Sequence, residues 1–107
     1  MNTIYKLRYL TSFYEDIEEK ILYIAEELKN PNAANELLDA IESAILERLS
    51  TPEAFARYFS SHERKYPYYR IYVKNFVIYY VVIDEDHERI MEVRRLLYKR
   101  QNREALI

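Results

Sequence analysis

Residues 68–73 and 76–83 form two runs rich in aromatic and β-branched side chains, and they constrain the fold more than any other part of the sequence. Such residues favour β-strands. Only Lys74 and Asn75 separate the runs, which is the spacing of a tight β-hairpin. The chain contains no glycine, so asparagine and aspartate must supply the positive φ values that turns require. We therefore predict a hairpin in which Asn75 takes a positive φ.

A further strand is predicted after this hairpin. Residues 84–87 include two aspartates and have the composition of a second turn, and residues 88–97 have the pattern of the next strand. Residues 53–67 mix aromatic, small and charged side chains without a clear period. We interpret that stretch as a loop with a short helical turn around residues 54–58.

The first quarter of the chain predicts a strand and then a helix. Residues 3–10 alternate, with tyrosine and leucine on the better-buried side, as in a strand with one covered face. Ser12 stands three residues before Glu15, which is the spacing of a capping box at a helix start. An apolar stripe at helical spacing then follows. It consists of Phe13, Ile17, Ile21, Ile24 and Leu28.

Asn30 and Pro31 separate this helix from a second one. Asparagine is a good helix cap, and proline suits the first helical position, where its missing N–H had no partner in any case. The second stripe consists of Ala34, Leu37, Leu38, Ile41, Ala44, Ile45 and Leu49. So short a break predicts an antiparallel helix hairpin. With the strands, the order is βααβββ, an α+β fold with the hairpin on one face of a three-stranded antiparallel meander.

Length and composition limit the class of protein. With 107 residues, half of them hydrophobic, we predict a single domain over residues 1–107. The absence of cysteine excludes disulfides and thiolate metal sites. Apolar stretches are too short to span a bilayer and no signal peptide is recognisable, so we expect a soluble, cytoplasmic protein with no membrane partner.

Charge is unevenly distributed along the chain. Residues 13–53 carry a net charge of −8 and residues 54–107 carry +4, while the first twelve residues add +2 to give the overall −2. A basic half joined to an acidic one indicates an anionic partner for the basic face. Alternatively, the acidic stretch is only a solvated helix face.

The candidate functional residues are cations interleaved with tyrosines in the last third of the chain. The cations are Arg70, Lys74, Arg94, Arg95, Lys99, Arg100 and Arg103. Such a mixture suits single-stranded nucleic acid, because cations neutralise phosphates and tyrosine stacks on bases; it also suits an acidic peptide. His62 and His87 are the only histidines and lack a second ligand at metal spacing, so we predict neither a metal nor a cofactor.

Several segments together resemble the RelE/ParE family of bacterial type II toxins. They are residues 5–7, 15–17, 69–80 and, above all, 95–102. The order of the elements is also similar, and the resemblance covers nearly the whole chain. It implies a small toxin that a cognate antitoxin neutralises by covering the sheet with its C-terminal segment.

The family resemblance implies one of two targets. RelE-type members cut mRNA on the ribosome without a metal, which requires a general base, a general acid and cations near the developing charge. ParE-like members poison DNA gyrase and need no such groups. For a ribonuclease, the catalytic candidates would be Arg70, Tyr98 and Arg100. The target-binding candidates are Lys74, Arg94, Arg95, Lys99 and Arg103.

The match to the ribonuclease members is incomplete. Val77 stands where they carry a strand arginine, and Leu106 or Ile107 stands where they carry a tyrosine or histidine-tyrosine pair. Tyr98 would be a poor base unless Lys99 and Arg100 lowered the pKa of its phenol from about 10. We therefore expect a gyrase poison, with an mRNA endoribonuclease as the alternative; a second alternative is a non-toxic family member that only binds a partner.

Overall fold

The computed structural model describes residues 4–58, 65–101 and 106 of the chain. Within these residues the chain forms two α-helices and one five-stranded sheet. Helix α1 spans Thr11–Leu22 and continues as the π-helical segment Tyr23–Glu27, and α2 spans Pro31–Arg48. The strands are β1 (Tyr5–Tyr9), β2 (Arg57–Tyr58), β3 (Tyr68–Val73), β4 (Phe76–Glu85) and β5 (Glu88–Tyr98). The predicted α+β fold, with a strand, two helices and then a meander, is confirmed.

The sheet joins the two ends of the chain. Its strands lie in the order β1-β5-β4-β3-β2. The meander of β3, β4 and β5 is antiparallel, as expected. In contrast, β1 pairs in parallel with β5, from Tyr5 opposite Arg89 to Tyr9 opposite Val93. Strand β1 therefore forms one edge of the sheet, beside β5.

The helix hairpin covers one face of the sheet and forms the main core with it. The helices contribute Phe13, Leu37, Ile41 and Ile45, all at most 2% exposed. From β3, β4 and β5 the main core includes Tyr69, Ile71, Val73, Phe76, Ile78, Tyr80, Met91, Val93 and Leu96. The amphipathic helices were expected to need such a sheet, because burial of one apolar stripe stabilises each of them.

The opposite face of the sheet carries a second buried cluster. It consists of Tyr68, Val77, Tyr79, Val81, Ile83, Ile90 and Leu97. Alternation along a strand sends neighbouring side chains to opposite faces. Tyr79 and Tyr80 are consequently both fully buried, one in the second cluster and the other in the main core. This alternation decides which of the candidate cations share a face.

The predicted capping box at the start of α1 is wrong. The helix begins after Leu10 with no side-chain cap. The hydroxyl of Ser12 instead donates to the carbonyl oxygen of Arg94 in β5, at 2.7 Å. Ser12 bonds to the sheet instead of capping the helix, because α1 starts directly beside β5. This tertiary contact cannot be seen from local sequence spacing.

The predicted boundary between the helices is confirmed. Asn30 accepts a hydrogen bond from the backbone N–H of Ala33 at 3.1 Å, and Pro31 takes the first helical position of α2. The chain between the helices is short, and Lys29 adopts a positive φ of 51° there. Over the described ranges, neither helix has both the length and the apolar character needed to cross a membrane.

Two details of the strands differ from the predictions. In the β3–β4 turn Lys74, rather than Asn75, has the positive φ, at 53°. Residues 57–58 form β2 rather than part of a helical turn, since Arg57 pairs with Tyr69 and Tyr58 with Tyr68. Pairing with an available sheet edge decides the conformation of that aperiodic segment.

Candidate functional site

The β4–β5 register determines where the cations of β5 lie. Tyr79 pairs with Arg95 and Tyr80 with Val93, so Arg94 is the extra residue of a β-bulge. A bulge changes the direction of the side chains around it. Arg94 and Arg95, adjacent in sequence, consequently make contacts with different elements.

Arg95 forms an ion pair with a buried carboxylate of α1. Its Nε and Nη2 atoms donate to the two carboxylate oxygens of Asp16, at 2.7 and 3.0 Å. Asp16 is 7% exposed and also accepts from the backbone N–H of Leu96. The hydrogen bond to Asp16 raises the pKa of Arg95. Arg95 also donates to the carbonyl oxygen of Leu106, so it links α1, β5 and the C-terminal end.

Arg94 is paired on the other face of the sheet. Its Nε atom lies 2.8 Å from Glu92, a carboxylate that is 4% exposed. Glu92 also accepts from Arg8 of β1, at 2.6 Å, and the hydroxyl of Tyr68 lies 3.5 Å from Arg94. Burial of the lone carboxylate would be costly, and the two arginines offset that cost. Both Arg94 and Arg95 are therefore held in ion pairs with carboxylates of the same chain.

A cleft opens at the end of the sheet where β5 stops. It is lined by Asn75, Tyr98, Lys99 and Arg100, and we call it the tail cleft. The backbone N–H of Lys99 donates to the carbonyl oxygen of Asn75 at 3.0 Å, which fixes the cleft against the β3–β4 turn. Lys99 and Arg100 are exposed. The cleft thus presents two cations and part of a tyrosine ring to solvent.

Tyr98 faces the helices and is partly buried, with its side chain packed against the main core. Its ring centroid lies 4.7 Å from that of Phe76, and the Nζ atom of Lys20 lies 5.1 Å from it. Burial raises the pKa of Tyr98, and the charges of Tyr23 and Glu19 add to the effect. The neighbouring cations therefore do not lower the pKa of Tyr98, and a neutral phenol with a raised pKa is a poor general base at neutral pH.

Lys20 was predicted neither as a core residue nor as a site residue, although its side chain is only 2% exposed. Its nearest described carboxylate is Glu19, at 3.6 Å. The buried residues of α1 are Phe13, Asp16 and Lys20, at the spacing of three and four that marks one helix face. Counting only apolar residues hid this stripe, because two of its three members are charged.

Arg70 lies on the face opposite the helices. It pairs with Tyr79 of the second cluster, and its guanidinium carbon lies 4.9 Å from the ring centroid of Tyr58. The ring of Tyr72, 54% exposed, has two cations near it: the Arg70 guanidinium at 5.9 Å and the Nζ atom of Lys99 at 5.7 Å. We call Arg70, Tyr72 and Lys99 the Tyr72 group.

The remaining sequence candidates lie apart from one another. Lys74 is exposed in the β3–β4 turn, next to the tail cleft. Val77 is fully buried in the second cluster. His87 lies in the β4–β5 turn, at the end of β4 that is opposite to Lys74. Arg103, like His62 and Ile107, lies outside the described residues.

The strand, the helix hairpin and the antiparallel meander follow one another in the order that the resemblance to the type II toxins implied. Residues 7–103 match the family described as ParE toxin of type II toxin-antitoxin system, parDE. This match spans most of the chain, and the protein therefore belongs to the ParE toxin family. Its family implies an antitoxin as partner. No curated protein matches the sequence significantly.

Proposed function

We propose that this toxin inhibits growth by binding DNA gyrase and not by cutting mRNA. One observation carries the proposal: Arg70 and Tyr98, two of the three ribonuclease candidates, lie on opposite faces of the sheet. Groups that act on one phosphate must converge within hydrogen-bond reach of it. The raised pKa of Tyr98 and the burial of Val77 point in the same direction. Membership of the ParE family supports it further.

The proposed target-binding surface is the basic end of the sheet. It comprises Lys74, Lys99 and Arg100, which are exposed around the tail cleft, together with Arg70 on the adjoining face. Arg94 and Arg95 contribute less, because each is held in an ion pair with a buried carboxylate of the same chain. Exposed cations such as Lys74 and Arg100 can attract an acidic target surface.

We propose that the antitoxin neutralises the toxin at the same surface. An antitoxin segment that covers the tail cleft would neutralise Lys99 and Arg100 and exclude the target from them. Both the toxin and its antitoxin would act in the cytoplasm, where gyrase is found. The overall charge of −2 would not steer the toxin to an anionic target, so local charge at this end must do so.

The test compares two reactions with purified, antitoxin-free protein. Cell-free translation is followed by peptide yield and mRNA integrity, and gyrase is followed by plasmid supercoiling. We expect intact mRNA, normal yield and inhibited supercoiling. Cleavage of mRNA only in the presence of ribosomes would overturn the proposal in favour of a ribonuclease. Failure in both reactions, together with normal growth on expression, would overturn it in favour of a non-toxic relative.

Charge reversal identifies the residues responsible. Arg100→Glu should reduce gyrase inhibition at least about tenfold, since it places a like charge against an acidic target. The matched control is Lys6→Glu, which reverses one exposed charge in β1; its ion pair with Glu88 is exposed and contributes little to stability. If both variants inhibit gyrase as well as the wild type does, the tail cleft is not the binding surface. Thermal melting verifies that both are folded.

A further inference from the structure

The face of the sheet opposite the helices carries one aromatic ring that is largely in water. Tyr72 pairs with Val77, and Val77 pairs with Leu97, so alternation places these three side chains on the same face. Val77 and Leu97 are at most 1% exposed, whereas Tyr72 is 54% exposed. Because only buried apolar area stabilises a fold, the exposed part of this ring contributes little to stability. It is open to contact with a ligand.

Cations and tyrosines alternate across this face. The guanidinium carbon of Arg70 lies 4.9 Å from the ring centroid of Tyr58 and 5.9 Å from that of Tyr72. On the other side of the sequence, the Nζ atom of Lys99 lies 5.7 Å from the Tyr72 ring centroid. Lys99 is held beside the β3–β4 turn because its backbone N–H donates to Asn75. The resulting series is Tyr58, Arg70, Tyr72 and Lys99.

The positive charge on this face is in part uncompensated. In residues 4–58, 65–101 and 106, no carboxylate forms an ion pair with Arg70 or with Lys74, which is exposed in the turn two residues after Tyr72. The ion pairs of these ranges involve Lys6, Arg8, Lys20, Arg89, Arg94 and Arg95. Like charges that lie close to one ring repel each other, and an anion bound among them removes that cost.

The combination of a ring with cations selects the ligand. A second copy of the chain would bring the same cations together, and like charges oppose that contact. An acidic peptide would neutralise the cations but would leave the Tyr72 ring unused. In duplex DNA the faces of the bases are already stacked on one another. A single strand satisfies both features, because its bases stack on aromatic rings and its phosphates pair with lysine and arginine.

We propose that the Tyr72 group binds a single-stranded segment of DNA. One base stacks on the Tyr72 ring, and Arg70, Lys74 and Lys99 neutralise the phosphates beside it. This inference deepens the proposed function and rests on it for the source of the segment, which is the DNA that gyrase holds. Lys99 also lines the tail cleft, so the two surfaces adjoin. The toxin would contact the enzyme with one surface and the DNA with the other.

The experiment measures the binding of fluorescently labelled oligonucleotides to the full-length, antitoxin-free protein by anisotropy at low salt. The probes are an oligothymidylate and an abasic strand of equal length, which keeps the phosphates but has no bases. Tyr72→Ala should weaken oligothymidylate binding at least about fivefold and leave binding of the abasic strand unchanged. Tyr72→Phe keeps a stacking ring and should bind as the wild type does. The matched control is Tyr14→Ala, which removes a ring that is 58% exposed on α1.

The contribution of the cations is measured by salt dependence. Three phosphate contacts with a single strand give a slope of about −2 for the logarithm of the binding constant against the logarithm of salt concentration. Lys74→Ala should make this slope shallower by about 0.7. The control is Lys6→Ala, on β1 at the other edge of the sheet, which should leave the slope unchanged.

Equal binding of the oligothymidylate and the abasic strand by the wild-type protein would overturn the proposal, because charge alone would then explain binding. This comparison needs no variant, so it also decides the case in which Tyr72→Ala does not fold. Tighter binding of a duplex would overturn the proposal as well, and markedly tighter binding of an oligouridylate would overturn the assignment to DNA. The assay contains no gyrase, so its failure leaves the gyrase proposal standing. Conversely, a failure to inhibit gyrase leaves oligonucleotide binding measurable.

Discussion

Asp16 shows how a single buried carboxylate can connect distant parts of the chain. It accepts three hydrogen bonds, two from Arg95 and one from the backbone of Leu96, across 79 and 80 residues of sequence. All three would be weakened if the carboxylate lost its charge. A side chain of this kind stabilises the fold mainly because its removal leaves other buried groups unsatisfied.

Asp16→Asn should therefore lower the free energy of unfolding by about 2 kcal/mol, since it leaves the partly buried Arg95 without a counter-charge. The measurement is denaturant unfolding at neutral pH. Glu15→Gln is the matched control, because it removes one charge from the adjacent, exposed position of the same helix. Equal unfolding midpoints for the two variants would show that the ion pair contributes nothing to stability.

The candidate site was only partly predictable at this scale. The sequence shows that Arg94 and Arg95 are adjacent cations. It does not show that they form ion pairs with Glu92 and Asp16, respectively. Those partners depend on the bulge and on the docking of α1. Lys99 and Arg100, by contrast, directly follow Tyr98 in the sequence and line the same cleft with it, because no tertiary rearrangement separates neighbours in sequence.

Helix α1 continues the edge of the sheet where β1 stops. The backbone N–H of Leu10 donates to Val93, the Ser12 hydroxyl donates to Arg94, and Asp16 accepts from Leu96. Each contact satisfies a β5 backbone group that would otherwise face the end of β1. The first turns of the helix therefore act in place of a longer β1.

Helix α2 depends on its cap. Asn30→Ala removes the acceptor for the Ala33 N–H and should lower the free energy of unfolding by about 1 kcal/mol. Asn35→Ala, an exposed position inside the same helix, is the control and should leave stability unchanged or raise it slightly, because alanine is the better helix former. Thermal or denaturant unfolding measures the difference in stability between the two variants. A stable Asn30→Ala variant would mean that the hydrogen bond is replaced by water.

Elements were more predictable than their pairing. The two helices and four of the five strands follow from apolar periodicity and from β-branched and aromatic runs. The parallel pairing of β1 with β5 could not be derived from local pattern, since 84 residues separate Leu7 from its partner Met91. The two-residue strand β2 likewise exists only because the edge of β3 is available.

At the scale of the whole molecule, partly or fully buried tyrosine side chains should make the stability of the fold decrease at alkaline pH. The pKa values of Tyr5, Tyr9, Tyr80 and Tyr98 are raised, in each case first by burial. The folded state thus favours the neutral phenol over the charged one. This contribution is fully present below the ordinary tyrosine pKa of about 10 and is lost as the pH rises through the raised values.

Denaturant unfolding between about pH 9 and pH 11 should show this decline. Tyr98→Phe removes one of the ionisable groups and should make the decline shallower. The wild-type protein, measured over the same pH series, is the control. Parallel curves for the two proteins would show that Tyr98 does not contribute.

The parallel pairing of β1 with β5 also affects when the protein can become active during its own synthesis. Residues 5–9 leave the ribosome before their partners, residues 89–93, which are made about 80 residues later. Contacts between such distant residues form late. We therefore expect that a nascent or prematurely terminated chain, which lacks β5 and the cleft behind it, does no harm to the cell that makes it.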